Sequence, residues 1–294
     1  MSKTFCFYHA ADHDGFISGT VVKLNEPDAI MIAIDYGDKF PWDDINPDDK
    51  VYMVDFSLQP FEEMLKLNSM CHFIWIDHHY SAIDDMEKSG VEFKGLQKAG
   101  IGACGRTWEY FNPDTELPRC IKLLAEYDVF TLTDPQCLNF EYGMRSYNLN
   151  PNNDNNIELL KILLDPENSR GSDISIDSIC ERGKIVQDYL AVFDEKYNKL
   201  AMYEIEFEGL KCLCVNRLLC GSSAFDRVQH RDDYDAFMIF GWIADQWSIG
   251  MYSDRKDKDV AAICKKHGGG GHVSLTGSCG GFQTKQLPEG LLQK

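Results

Sequence analysis

Carboxylates and imidazoles gather at the ends of short apolar runs in the first part of this chain. FCFYH ends at His9 and continues through two alanines to Asp12, His13, Asp14 and Gly15; VYMVD ends at Asp55; FIWID ends at Asp77 and is followed by His78 and His79. A single Asp after a strand is ordinarily a helix N-cap. Three strand ends that together offer four Asp and up to four His ask for another reason. Mixed carboxylate and imidazole sets suit divalent ions such as Mn²⁺. Two such ions close together can share a carboxylate and a hydroxide, lower the pKa of that water, and stabilise the attacking and leaving oxygens. That is hydrolytic phosphorus chemistry. An EF-hand reading of Asp12-x-Asp14 fails, because the fifth position is Phe16 and the twelfth is Lys23. His13 is read as facing solvent and His72 as a partly buried structural histidine.

The elements that must carry these residues alternate. Phe5–His9, Ile30–Ile34, Val51–Asp55 and Phe73–Asp77 are short, apolar and rich in β-formers, with Gly15–Lys23 and Phe61–Leu67 between them reading as helices. This predicts an α/β fold whose N-terminal, mostly parallel sheet has helices on both faces. In such sheets ligands bind beyond the carboxyl ends of the strands, so the three loops should converge. Two more helices are expected at about Ala103–Phe111 and Leu117–Tyr127. Asn148–Asn156 and Asp165–Asp173 have loop composition. A long amphipathic pattern from Ile174 to about Ala201 reads as a linker helix, with Ile179, Ile185, Val186, Leu190 and Phe193 on its apolar face. From about Met202 a smaller mixed α/β domain is expected. It should hold two strands around Glu208-Gly209, a helix near Ser223–His230, a hairpin turning at Asp245-Gln246, and a helix at Asp257–Lys266 leading into HGGGGH. The expected organisation is a catalytic domain over 1–165, a linker helix over 174–203 and a substrate-binding domain over 204–294.

The chain has 294 residues, 47 acids against 29 bases, and a net charge of −18. Proteins that grip long nucleic acids neutralise phosphates with a basic stripe, and none is visible here. The eleven cysteines are an odd number, and several lie in apolar runs, such as Cys6, Cys212 and Cys214. They read as reduced, buried thiols of a cytoplasmic protein. Cys212-x-Cys214 with Cys220 has the wrong spacing for a zinc knuckle. The longest apolar run, Ala236–Ala244, is too short to span a bilayer, and no signal segment is seen.

HAADHDG, the strand ending at Asp55, IDHHYS and AEYDVF resemble, in order, motifs one to four of the DHH phosphoesterase superfamily, the type that includes RecJ-like nucleases, nanoRNases and bisphosphonucleotide phosphatases. HGGGGHVSLTG resembles the signature of the DHH-associated C-terminal domain. The resemblance covers essentially the whole chain. It implies two divalent metal ions, Mn²⁺ foremost with Mg²⁺ or Co²⁺ as alternatives. One ion would sit on His9, Asp12 and Asp55, the other on Asp14, Asp55, His78 and Asp128. Asp77 would orient the site, and His79 would polarise the phosphate or protonate the leaving oxygen. Asp128 is assigned by the resemblance alone. Gly269, Gly270, Gly271 and His272 are the implied substrate contacts of the second domain. Arg106 and Arg145 are candidate phosphate clamps, with surface salt bridges as the even alternative. Tyr252 stands where the family often carries an arginine, and either stacks on a base or packs in its strand.

The resulting expectation is a manganese-dependent phosphoesterase acting on a small nucleotide or very short oligonucleotide, with no long duplex and no membrane partner, and with a homodimer left open. The alternatives are a RecJ-like single-strand exonuclease, an inorganic pyrophosphatase or polyphosphatase, and a non-catalytic nucleotide-binding protein.

Overall fold

In a computed structural model of the chain the described residues are 2–165, 173–273 and 277–291, with residues 272 and 273 described by backbone alone. The chain divides into two compact units, Met1–Gln187 and Asp188–Lys294, so the division falls inside a helix.

The first unit is built on five strands, β1 (Thr4–His9), β2 (Ile30–Ile34), β3 (Lys50–Val54), β4 (His72–Asp77) and β5 (Lys94–Gln97), in the order β2-β1-β3-β4-β5. All four pairings are parallel. Successive residues of a strand face opposite sides. Phe5, Phe7, Val51, Met53, Phe73 and Trp75 therefore enter one core, and Cys6, Tyr8, Tyr52, Val54, Ile74 and Ile76 enter another. Both faces are apolar because both are covered, which is why the strands read as continuous hydrophobic runs. The first core is closed by α2 (Glu62–Met70), through Met64 and Leu67, and by Ala82 of α3 (Tyr80–Ser89). The other face takes Val22 of α1 (His13–Asn25) and the rings of Tyr110 and Phe111 from α4 (Ala103–Phe111). A further all-helical core joins α1 and α4 to α5 (Arg119–Asp128), α6 (Cys137–Met144), α7 (Asp154–Leu164) and the start of α8 (Ile176–Ala201).

The second unit holds a mixed sheet of β6 (Met202–Phe207), β7 (Leu210–Asn216), β8 (Ala236–Ile243), β9 (Gln246–Ser253), β10 (Gly270–Val273) and β11 (Ser278–Thr284), ordered β10-β11-β9-β8-β7-β6. Only β7 and β8 pair in parallel. One helix, α9 (Val260–Lys266), packs Val260 and Cys264 against Cys212, Met238 and Met251. The predicted helix near Ser223–His230 is instead two 3₁₀ turns, Ser222–Phe225 and Arg231–Asp233. Part of the glycine run pairs as strand, with Gly270 opposite Gly281 and Gly271 opposite Gly280. No cysteine is bridged, and all but Cys71, Cys220 and Cys279 are buried. Among the described residues no helix is long and apolar enough to cross a membrane.

Candidate metal centre

Each strand end delivers its polar residue by a distinct local device. After His9 the chain turns at Asp12, which caps α1 by accepting the amide of Gly15 at 3.1 Å. A β-carbon at Gly15 would lie 2.1 Å from the carbonyl oxygen of His9, so only glycine lets α1 start this close to β1. Asp14, in the first turn, is buried and reaches the start of α4, where it accepts the amides of Ala103 at 2.5 Å and Cys104 at 2.8 Å. A carboxylate on those amides is favoured by their unpaired donors and by the helix dipole. Asp55 follows β3 with φ at 56°, a left-handed conformation uncommon outside glycine, in which aspartate is among the better tolerated residues. His78 and His79 follow β4, and Asp128 is the last residue of α5.

Together these devices gather three overlapping ligand sets. His9, Asp12 and Asp55 form one, Asp14, His78 and Asp128 the second, and Asp55, Asp77, His78 and His79 the third; within each set one ligand atom per residue lies within 4.8 Å of every other. The Nε2 of His78 is 3.2 Å from Asp128, 3.4 Å from Asp55 and 3.6 Å from Asp14. His9 is 3.4 Å from Asp55 through Nδ1 and 3.5 Å from Asp35 through Nε2. Asp55 thus stands between the two imidazoles that head the first two sets.

The donor set fits divalent cations on two observations. Both ring nitrogens of His9 and Oδ1 of Asp55 are buried with no hydrogen-bond partner among the described residues. Leaving such atoms unpaired costs about 1–3 kcal/mol each; a bound cation would take one nitrogen of His9 and the oxygen of Asp55, while the other ring nitrogen faces Asp35. The second observation is charge crowding. Burial, followed by repulsion from Asp55, pushes the Asp12 and Asp14 carboxyls above the usual range. Burial, followed by repulsion from Asp14 and Asp55, does the same to Asp128. Burial would raise Asp55 too, but the imidazoles of His78 and His9 outweigh it and hold that carboxyl low. Groups driven toward protonation at one point are what divalent cations hold as ligands.

Asp77 is buried and acts behind this layer. Oδ1 accepts the amides of His78 at 2.7 Å and His79 at 3.1 Å and the Nδ1 of His79 at 2.7 Å; Oδ2 accepts the indole N–H of Trp75 at 3.2 Å. This fixes which nitrogen of His79 is committed to the protein. Burial works against the charge on His79, but Asp77 outweighs it and raises the imidazole to about 9.

The remaining sequence candidates make other contacts. Arg106 is buried; it donates to the carbonyls of Lys98 and Ala99 and to Glu109, pinning the turn before α4. Arg145 donates to Glu141 at 3.0 Å and to the hydroxyl of Tyr127 at 3.0 Å, over the ring of Tyr142. Tyr252 packs against the core formed by Leu213, Phe225 and Phe237, and burial raises its hydroxyl to about 12. Gly269 to Gly271 lie in the second unit, and the side chain of His272 is outside the described residues, as is most of the expected loop at 165–173. Sequence reasoning missed Glu141, whose Oε2 meets Nδ1 of His13 at 2.8 Å. No linear pattern marks it, since its partner lies 128 residues away.

Comparison with known proteins fits this architecture. No family model matches the chain. The uncharacterized protein R106 of Acanthamoeba polyphaga mimivirus is 26% identical over 244 residues, taking in 77% of this chain and 52% of its own, so the chain spans about half the length of the curated relative it matches. Among solved structures, the pGpG-specific phosphodiesterase PggH of Vibrio cholerae aligns over 96% of this chain and 93% of its own, with a TM-score of 0.55 and 12% identity. The chain therefore shares the fold of a solved phosphodiesterase. An exopolyphosphatase-related protein of Bacteroides fragilis aligns over 98% of this chain and 88% of its own at 14% identity, with a TM-score of 0.43, too low to argue from.

Proposed function

We propose that this protein is a DHH-type phosphoesterase that uses two divalent cations, Mn²⁺ foremost, to hydrolyse phosphoester bonds of small nucleotides or very short oligonucleotides. The observation that carries the reading is a pair of ligand sets, His9 with Asp12 and Asp55 and Asp14 with His78 and Asp128, brought together where Asp55 lies 3.4 Å from His78, with ring nitrogens of His9 and an oxygen of Asp55 that are buried and make no hydrogen bond among the described residues. His9, Asp12 and Asp55 would hold one cation, and Asp14, Asp55, His78 and Asp128 the other. Bound there, divalent cations supply Lewis acidity toward a phosphoryl oxygen and acidify water. The chain's own residues do the rest. Asp77 fixes His79 by its Nδ1, an orientation that suits a hydrogen-bond donor to a phosphoryl or leaving oxygen through the other ring nitrogen. Asp55 keeps its negative charge between His9 and His78, as a shared ligand must. In the second unit, Gly269 to Gly271 and His272 are the proposed substrate contacts. The net charge of −18 and the absence of a basic stripe favour short substrates over long ones.

The test is hydrolysis by the purified chain with Mn²⁺, Co²⁺ or Mg²⁺ of linear dinucleotides, cyclic dinucleotides, 3′,5′-bisphosphorylated adenosine, pyrophosphate and single-stranded oligonucleotides. Cleavage of one of the small nucleotide esters is expected, with Asp55→Ala and an Asp12→Ala, His78→Ala double variant slower by on the order of 10³-fold. Cleavage of none of them with any metal would transfer the fold to a nucleotide-binding role. Cleavage of pyrophosphate alone would replace the nucleotide substrate.

A further inference from the structure

Glu141 is the buried acid of α6, a helix that supplies no candidate ligand. One of its carboxylate oxygens meets a ligand-bearing segment directly, and the other reaches a second one through Arg145. Oε2 meets the ring of His13, the residue between Asp12 and Asp14. Oε1 accepts Nε of Arg145, whose Nη2 in turn donates to the hydroxyl of Tyr127, the residue before Asp128. The chain His13–Glu141–Arg145–Tyr127 therefore spans from the first turn of α1 to the last turn of α5. The Tyr127 end lies beside Asp128 of the second ligand set, and the His13 end lies between Asp12 of the first and Asp14 of the second.

What this chain of contacts adds at the end of α5 is a tie beside the side chain of Asp128. The backbone of α5 is closed by the amides of Phe130 and Thr131 on the carbonyls of Tyr127 and Glu126, with Phe130 left-handed at φ 54°, but these bonds do not touch the carboxylate of Asp128. Asp14 is held by the amides of α4, whereas among the described residues the carboxylate of Asp128 meets the ring of His78 and no backbone amide. His13 occupies the free position of Asp12-x-Asp14, is mostly buried, and belongs to none of the ligand sets. Its ring is spent on Glu141 instead of a metal or the solvent.

We propose that Glu141 is a positioning residue for the second cation site: through His13 on one side and Arg145 with Tyr127 on the other it sets the separation of Asp14 and Asp128. The inference rests on the two-cation reading above and adds a residue to it. It also gives Arg145 a structural partner on each side of its guanidinium. Outer partners of this kind typically govern metal affinity by about 10–100-fold.

The experiment is a calorimetric titration of the metal-stripped full chain with Mn²⁺ alone, with no substrate. Wild type should take two Mn²⁺. Glu141→Ala should weaken one of the two by at least about 10-fold and leave the other within a few-fold. Glu141→Gln, whose amide can still bond to both neighbours, should restore most of the loss. Tyr127→Phe, which removes one hydroxyl, should weaken the same site by a few-fold, and it carries the test if Glu141→Ala does not fold. Equal weakening of both sites with no rescue by glutamine, or two unaltered sites in every variant, overturns the inference and leaves the phosphoesterase reading standing. A wild type that binds no Mn²⁺ overturns both.

Discussion

At Gly102 the chain has no room for a β-carbon. One placed there would stand 2.7 Å from Oδ1 of Asp14, the oxygen that rests on the amide of Cys104. Gly102→Ala should push Asp14 off its helix terminus, destabilise the first unit by about 1–3 kcal/mol, and weaken Mn²⁺ binding at the set of Asp14, His78 and Asp128. A titration indistinguishable from wild type would show that Asp14 needs no such seat. Asp77→Asn makes the complementary separation, since Asp77 positions His79 behind the ligands. Turnover should fall by about 10–100-fold with Mn²⁺ affinity changed far less; an equal fall in both would place Asp77 among the ligands. The strand-end residues Asp12, Asp14, Asp55 and His78 were legible because several acids and imidazoles closing apolar runs exceed what capping requires. Asp128 was legible only by resemblance, since an acid ending an amphipathic helix looks ordinary. The contacts of Asp14 with Ala103 and of Glu141 with His13 were not legible, as 89 and 128 residues separate the partners.

Strands β1, β3 and β4 could be read from sequence because each is buried on both faces and therefore apolar nearly throughout, and edge strand β2 because of its run of β-formers, although Ile30 and Ala33 are exposed; the structure shifts the ends of all four by a residue at most. Helices α3 and α6 were hidden for another reason. YSAIDDMEKS buries only Ala82 and Ile83, too few to mark a face, whereas CLNFEYGM buries six of its eight residues, so no polar face sets off a period. α7 starts inside the asparagine run read as a loop, with Asn153 as its cap. The turn before β3 offers a test at this scale. Asp49 accepts the amides of Lys3 at 2.6 Å and Asn46 at 2.8 Å and the side-chain amide of Asn46 at 3.2 Å, tying the start of β3 to that of β1. The Lys3 amide first, and Asn46 after it, hold this carboxyl below its ordinary value. A lowered folded-state pKa gives stability that is complete above the unfolded value of about 3.9 and is lost as pH falls through the folded one. Asp49→Asn should therefore cost about 1 kcal/mol near neutrality, and the gap should close as pH falls below the ordinary carboxylate value and through the lowered folded one. A gap independent of pH in denaturant titrations would assign the cost to shape instead of charge.

For the whole molecule the governing fact is a net charge of −18, part of it concentrated as buried carboxylates in the first unit alone. Cations bound only by the folded state stabilise it by roughly 4 kcal/mol for each one present at a thousand times its dissociation constant. Chelation should thus lower the melting transition of the first unit, and returning Mn²⁺ should restore it. Calorimetry with and without EDTA checks this, and a melt untouched by chelator would remove the case for resident cations. The buried thiols set a different kind of clock. Cys6, Cys104, Cys120, Cys137 and Cys180 lie in the first unit and Cys212, Cys214 and Cys264 in the second, all buried and unbridged. Burial holds each of these thiols above its usual range, so the thiolate that alkylating reagents need is scarce while the cores stay closed. A pulse of maleimide read peptide by peptide therefore dates the opening of each core separately, with the protein supplying its own reporters.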